Sequence, residues 1–179
     1  MQNKEKIIMY VWIASLSFIF IVGFIIMMLR PSKEVVDASQ DLISMSEKIR
    51  KHYSNKPDYW GLSNQEIIKQ KLYSGIINNN QIINSLGKKV LIGGDTKGTT
   101  IMPGMKSFII SYLNLTKKEC IFLSTFKWTE LDNLGLISIS INNGKSIKQL
   151  NWGEDGLPLQ SQEAKEYCSD NNDISWTFE

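Results

Sequence analysis

Apolar residues run without a charge from Ile7 to Leu29, and from Val35 onward they return only at every third or fourth position, with charges between. A bilayer core about 30 Å thick takes roughly 20 apolar residues in a helix, so residues 7–29 are expected to span a membrane. In the second stretch, Val35, Val36, Ala38, Leu42, Ile43, Met45, Ile49 and Tyr53 are interleaved with Asp37, Gln40, Asp41, Glu47, Lys48, Arg50 and Lys51. That spacing predicts an amphipathic helix of about 20 residues with one apolar stripe. One long helix, bent at Pro31, is the simplest expectation, because proline is tolerated in a first turn and kinks an interior. The stripe predicts that the second half packs on a folded domain.

The pattern then changes period. Asn55-Lys-Pro-Asp58 breaks the helix, and Ser63-Asn-Gln-Glu66 reads as a capping box. It opens a short helix carrying Ile67, Ile68, Leu72 and Tyr73, ended by Gly75, with a polar loop at Asn78, Asn79 and Asn80. Strands are predicted at Lys89–Ile92, stopped by the Gly93–Gly98 loop, and at Lys106–Leu113. Thr116-Lys-Lys-Glu119 is a second capping box, starting a helix that presents Cys120, Leu123 and Phe126 on one face. Leu136–Ile141 alternates as a half-buried strand does, and Asn142-Asn-Gly-Lys145 signals a hairpin with a return strand over Ser146–Leu150. A helical turn at Ser161–Tyr167 leads to Cys168, and Asp173–Phe178 is the last strand. Helices followed by an antiparallel sheet with one helix inserted make an α+β layout.

Charge narrows the function. Setting aside Lys4, Lys6, Arg30 and Glu5 leaves 17 basic and 17 acidic residues beyond position 30. A neutral domain gives no electrostatic case for nucleic acid. The expected organisation is a cytosolic stub and span over 1–30, an amphipathic half-helix over 31–54 and a globular domain over 55–179. Lys4 and Lys6 on a short flank favour an inner N-terminus and an outer C-terminus. A cleaved signal peptide is the rival reading, disfavoured by the long apolar core and the lack of a small-residue cleavage site.

Candidate chemistry is sparse. Cys120 and Cys168 are the two cysteines. Outside the cytoplasm a disulfide is the default, the other reading being two buried thiols. With one histidine, His52, they make no metal-ligand set. No catalytic constellation emerges, and no cofactor is implied. The Gly93–Gly98 loop with Lys97 does not fit a phosphate-binding P-loop, and Glu154-Asp155 reads as a turn. Trp12 suits a membrane interface, whereas Tyr59-Trp60, Trp128, Trp152 and Trp176 are expected in the core. Asn114-Leu-Thr116 matches the N-glycosylation pattern, a chance match in a bacterial protein, and lies beside a helix cap.

Taken in order, these pieces resemble the type IVb pilins and pilin-like proteins, including conjugative-plasmid pilins. Tyr53 followed by Asp58-Tyr-Trp-Gly-Leu-Ser-Asn64 is similar to that family's loop between long helix and sheet. Asn84-Ser-Leu-Gly-Lys-Lys-Val-Leu-Ile92 is similar to the pattern opening its sheet, without the aromatic and second glycine. Leu115-Thr-Lys-Lys-Glu-Cys120-Ile-Phe-Leu123 and Cys168 before Ile174–Phe178 are similar to its cysteine-bearing helix and final strand. The resemblance implies a long N-terminal helix packed on an antiparallel sheet, with Cys120–Cys168 closing the C-terminal region. It also implies a single-pass inner-membrane protein with a periplasmic domain, carried into a pilus after assembly. Its partners would be other pilin subunits, inner-membrane assembly proteins and membrane lipid. Glu5 occupies the family's assembly position when Met1 counts as first residue, but Gln2, Asn3, Lys4 and Lys6 are polar where the family is apolar, and the first glycine is Gly23. This departure points to a minor pilin or a pilin-like inner-membrane component. A membrane-anchored periplasmic sensor or adaptor of a secretion machine is the alternative.

Overall fold

The computed structural model describes residues 12, 17, 18, 21, 32–128, 134–151, 157 and 159–179. The chain divides into two units, 1–32 and 33–179. In the first, Trp12, Ser17, Phe18 and Ile21 are helical and exposed. Glu5, Pro31, Trp152, Glu154 and Asp155 lie outside the described residues, as does nearly all of the expected span 7–29. Among the described residues, no helix is long and apolar enough to cross a membrane.

The second unit opens with helix α1, Lys33–Tyr53. Its buried face is Val35, Ala38, Ser39, Leu42, Met45, Ser46, Ile49 and Tyr53: the expected stripe with two serines added, while Val36 and Ile43 of that stripe are only half-buried. Those serines are tolerated because each hydroxyl donates back to a helix carbonyl, Ser39 to Val36 at 2.7 Å and Ser46 to Ile43 at 2.8 Å. Burying Leu42, Met45 and Ile49 contributes about 1.5–3 kcal/mol each.

Short helix α2, Asn64–Lys69, precedes strands β1 (Ile76–Asn78), β2 (Gln81–Ile83), β3 (Lys89–Gly93) and β4 (Phe108–Leu115). Helix α3, Lys117–Thr125, interrupts the sheet, followed by β5 (Leu136–Asn142), β6 (Ile147–Asn151), helix α4 (Ser161–Tyr167) and β7 (Asn172–Phe178). All pairings are antiparallel, in the order β1-β2-β3-β4-β7-β5-β6. The final strand is therefore inserted between β4 and β5.

Register explains the core. One row across the sheet reads Val90, Tyr112, Ile174, Ile141, and the next Ile92, Ile110, Trp176, Ile139, Leu150. Every member is buried. Alternation sends the intervening row of Leu91, Ser111, Ser175, Ser140 and Gln149 to the other face. There the Ser111 and Ser175 hydroxyls meet at 2.8 Å. Helix α1 packs on the apolar face, where the Tyr112 hydroxyl reaches the Ala38 carbonyl.

Several expectations are corrected. The Asn-rich segment forms the β1–β2 hairpin rather than an open loop, since Asn79 and Asn80 adopt φ of 47° and 60° at its turn. Asparagine is one of the few side chains that accepts that left-handed conformation. Helix α2 stops at Lys69, well short of Gly75. Lys71 then turns left-handed at φ 54°, and Gly75 lies so close to the Tyr73 ring that a Cβ there would collide with it. The first capping box is half made: Ser63 accepts from the Glu66 amide, but the Glu66 carboxylate turns to Gln70 at 2.7 Å and Lys69 at 3.9 Å. Trp60 is 66% exposed, not core. Phe126 falls just past α3, its ring 4.5 Å from Trp128.

Candidate functional site

Among the described residues, the parts that could carry function are the packed helix face and the cysteine-bearing region. The second is built from the Thr116 capping box upward. Thr116 accepts from the Glu119 amide, and the Glu119 carboxylate accepts from the Thr116 amide at 2.7 Å. This reciprocal pair fixes the first turn of α3 and places Cys120 inward. Cys168 is the C-cap of α4, its amide donating to Ala164 at 2.9 Å. The two cysteines are joined in a disulfide with Cα atoms 5.8 Å apart, within the range a bridge requires. It ties α3 to the approach of β7 across 48 residues that include the whole β5–β6 hairpin.

Two asparagines complete this region, and periodicity gave no sign of either role. Asn172, 1% exposed, donates to Leu115 at 3.0 Å and to Ser169 at 2.7 Å, and its carbonyl accepts from the Ser169 amide. It locks the end of β4 to the turn after Cys168. Asn143, expected only as a turn residue, also donates to the Tyr167 carbonyl at 2.9 Å and so fastens the hairpin tip to α4. Beneath them Trp128 donates to the Leu123 carbonyl at 2.8 Å, and its ring meets Trp176 edge-on.

The helix face is also fastened through Asp41. Asp41 accepts from the Ser85 amide at 2.9 Å and its hydroxyl at 2.6 Å. Burial, followed by the Asp41 charge, pushes the Tyr73 and Tyr112 phenols up, so both stay protonated. Tyr73 donates to the Ile83 carbonyl at 2.7 Å.

The remaining candidates are occupied structurally. In the Gly93–Gly98 loop, Asp95 accepts from the amides of Lys97 and Thr99 and from the Thr99 hydroxyl, and the Thr99 bonds hold its carboxyl below the usual range. His52 meets the Tyr53 ring edge-on and lies 3.1 Å from the Lys56 ammonium. No group of three or more His, Cys, Asp or Glu among the described residues could hold a metal.

Residues 32–179 match the family model described as PilS N terminal. The chain belongs to the PilS N-terminal family, and with it to the type IV pilin-like proteins. A solved type IVb pilin from Salmonella typhi shares 15% identity and a TM-score of 0.52, covering 78% of this chain and 97% of that one. TcpA, a type IV pilin from the Vibrio cholerae El Tor biotype, shares 12% identity and a TM-score of 0.57, covering 83% of this chain and 100% of its own. At such low identity these likenesses show the fold: an N-terminal helix on an antiparallel sheet. A comparison with curated protein sequences finds no match. The PilS N-terminal match takes in the whole of the unit 33–179, including α1, the sheet and the disulfide.

Proposed function

We propose that this chain is a structural subunit of a type IV pilus or a related assembly system, acting as a minor pilin or an inner-membrane pilin-like component. The observation that carries the reading is the PilS N-terminal match across residues 32–179. The uncharged run 7–29 supports a membrane anchor, with a cytosolic stub before it and a periplasmic domain over 55–179. In this reading residues 31–54 hold the domain to the anchor, and Glu5 serves assembly. The partners are other pilin subunits and inner-membrane assembly proteins, with lipid around the anchor. Its work is packing rather than catalysis.

Shearing and site-directed crosslinking test this directly. Ile21→Cys places a thiol at an exposed helical position of the first unit. Recovery of the protein in sheared filaments, or a crosslink from position 21 to a pilin's apolar segment, supports the reading. Retention in membranes with no pilin crosslink overturns it in favour of a tethered sensor or adaptor.

A further inference from the structure

At the C-terminal end of α1 the surface dips into a depression of about 280 Å³. Arg50, Lys56 and Lys106 line it, with Tyr53 and Tyr59 as walls and Asp58 as its one carboxylate. Asp58 is committed to main-chain donors: one oxygen accepts from the Trp60 amide at 3.1 Å, the other from the Gly104 amide at 2.6 Å. Those bonds join the segment after α1 to the segment before β4. Tyr59 to Met105 at 3.1 Å and Gly61 to Ile101 at 3.0 Å reinforce the join. The walls are thus fixed by backbone, and the lining carries Lys56 and Lys106 beside Arg50, which also bonds the Tyr59 side chain within reach of the Glu179 charge, with Asp58 as the lining carboxylate, held by amides.

The cations are also arranged. The Lys56 ammonium lies 4.1 Å over the Tyr53 ring and 3.1 Å from His52 Nε2, contacts that hold it in place without cancelling its charge. Burial, the largest cause at both Tyr53 and Tyr59, keeps these phenols protonated and able to donate. Guanidinium, ammonium and phenol donors converging on a small concavity match a compact oxyanion, which accepts charge-assisted hydrogen bonds from several sides. The volume lies just below the range for drug-sized ligands. It suits a single charged group better than a nucleotide.

We propose that this depression is an oxyanion-binding site, taking a phosphate or carboxylate group either free or at the end of a larger molecule. The test uses the full chain in neutral detergent micelles, followed by amide NMR. Sodium phosphate and sodium glucuronate are titrated separately against sodium chloride at matched ionic strength. Expected are saturable shifts at the amides of Ser54, Lys56, Asp58, Tyr59 and Lys106, with affinity falling about tenfold or more in the Lys56→Gln/Lys106→Gln variant. Lys118→Gln, remote on α3, leaves binding unchanged, and undisturbed signals from the sheet show that each variant is folded. Saturation by phosphate, by glucuronate or by both supports the site and identifies the group it takes. No saturation by either, shifts that merely follow chloride, or unchanged binding in the double variant overturns it.

Discussion

The Tyr112 hydroxyl donates a 2.8 Å hydrogen bond to the carbonyl of Ala38, joining the middle of the sheet to the first turns of α1 across 74 residues of sequence. Both residues are wholly buried. Tyr112→Phe keeps the ring and removes the bond, at an expected cost of about 1 kcal/mol. For a unit of this size that lowers the melting temperature by about 2–4 °C, measured by calorimetry. Tyr112→Ala removes the ring as well and costs about 3–5 kcal/mol.

Alkaline stability follows from the same burial. Tyr53, Tyr59, Tyr73 and Tyr112 all have phenols raised above the ordinary 10.0 in the folded state. The neutral form is the one the fold favours, so this contribution is full below pH 10 and is lost as pH rises toward the folded values. Denaturant titrations at increasing pH should show stability falling beyond 10, with a shallower fall in Tyr112→Phe. A flat profile would contradict the assignment.

Reducing the Cys120–Cys168 bridge frees a 48-residue loop in the unfolded chain. In the chain-entropy account the loss is about 4 kcal/mol. Equilibrium unfolding with and without reductant measures it, and a Cys120→Ala/Cys168→Ala chain should match the reduced protein within about 1 kcal/mol.

Asn172→Ala strips donors from the Leu115 and Ser169 carbonyls beside that bridge. Each orphaned buried group costs about 1–3 kcal/mol. Hydrogen exchange should report the loss first at the end of β4, with the β2–β3 side of the sheet less affected.

Trp60→Ser should change stability by no more than about 0.5 kcal/mol, since the ring is 66% exposed. Gly93→Ala is the opposite case. An added Cβ would overlap the Thr99 carbonyl oxygen, and forcing that backbone apart costs about 1–3 kcal/mol.

Much of this architecture was legible because period and burial coincide. Most of the Val35–Tyr53 stripe is α1's buried face, and β5 alternates from Ile139 to Asn142, while a register shift between Leu136 and Ser138 buries Ser138 beside Ile139. Capping at Thr116 was readable because both partners are local. The β1–β2 hairpin was not, because its strands have three residues each, β1 is fully exposed, and its turn uses Asn-Asn in place of Asn-Gly. Trp60 misled because an aromatic's size predicts burial while its surroundings decide it. The cationic depression was invisible for a simpler reason: Arg50, Lys56 and Lys106 share no periodic pattern, and long-range bonds at Asp58, Tyr59 and Gly61 bring their segments together.

The insertion of β7 between β4 and β5 also sets a timetable. Until residues 172–178 emerge, β4 and β5 have no strand to join them, and the apolar rows lack their middle member. Cys168 arrives only four residues ahead of that strand, so the second half of the bridge and the strand that completes the sheet come almost together. Cys120 must wait for its partner while 48 more residues are made, roughly 2–10 seconds at ordinary translation rates. During that interval the thiol is open to mispairing and the unpaired strand edges to association with neighbouring chains.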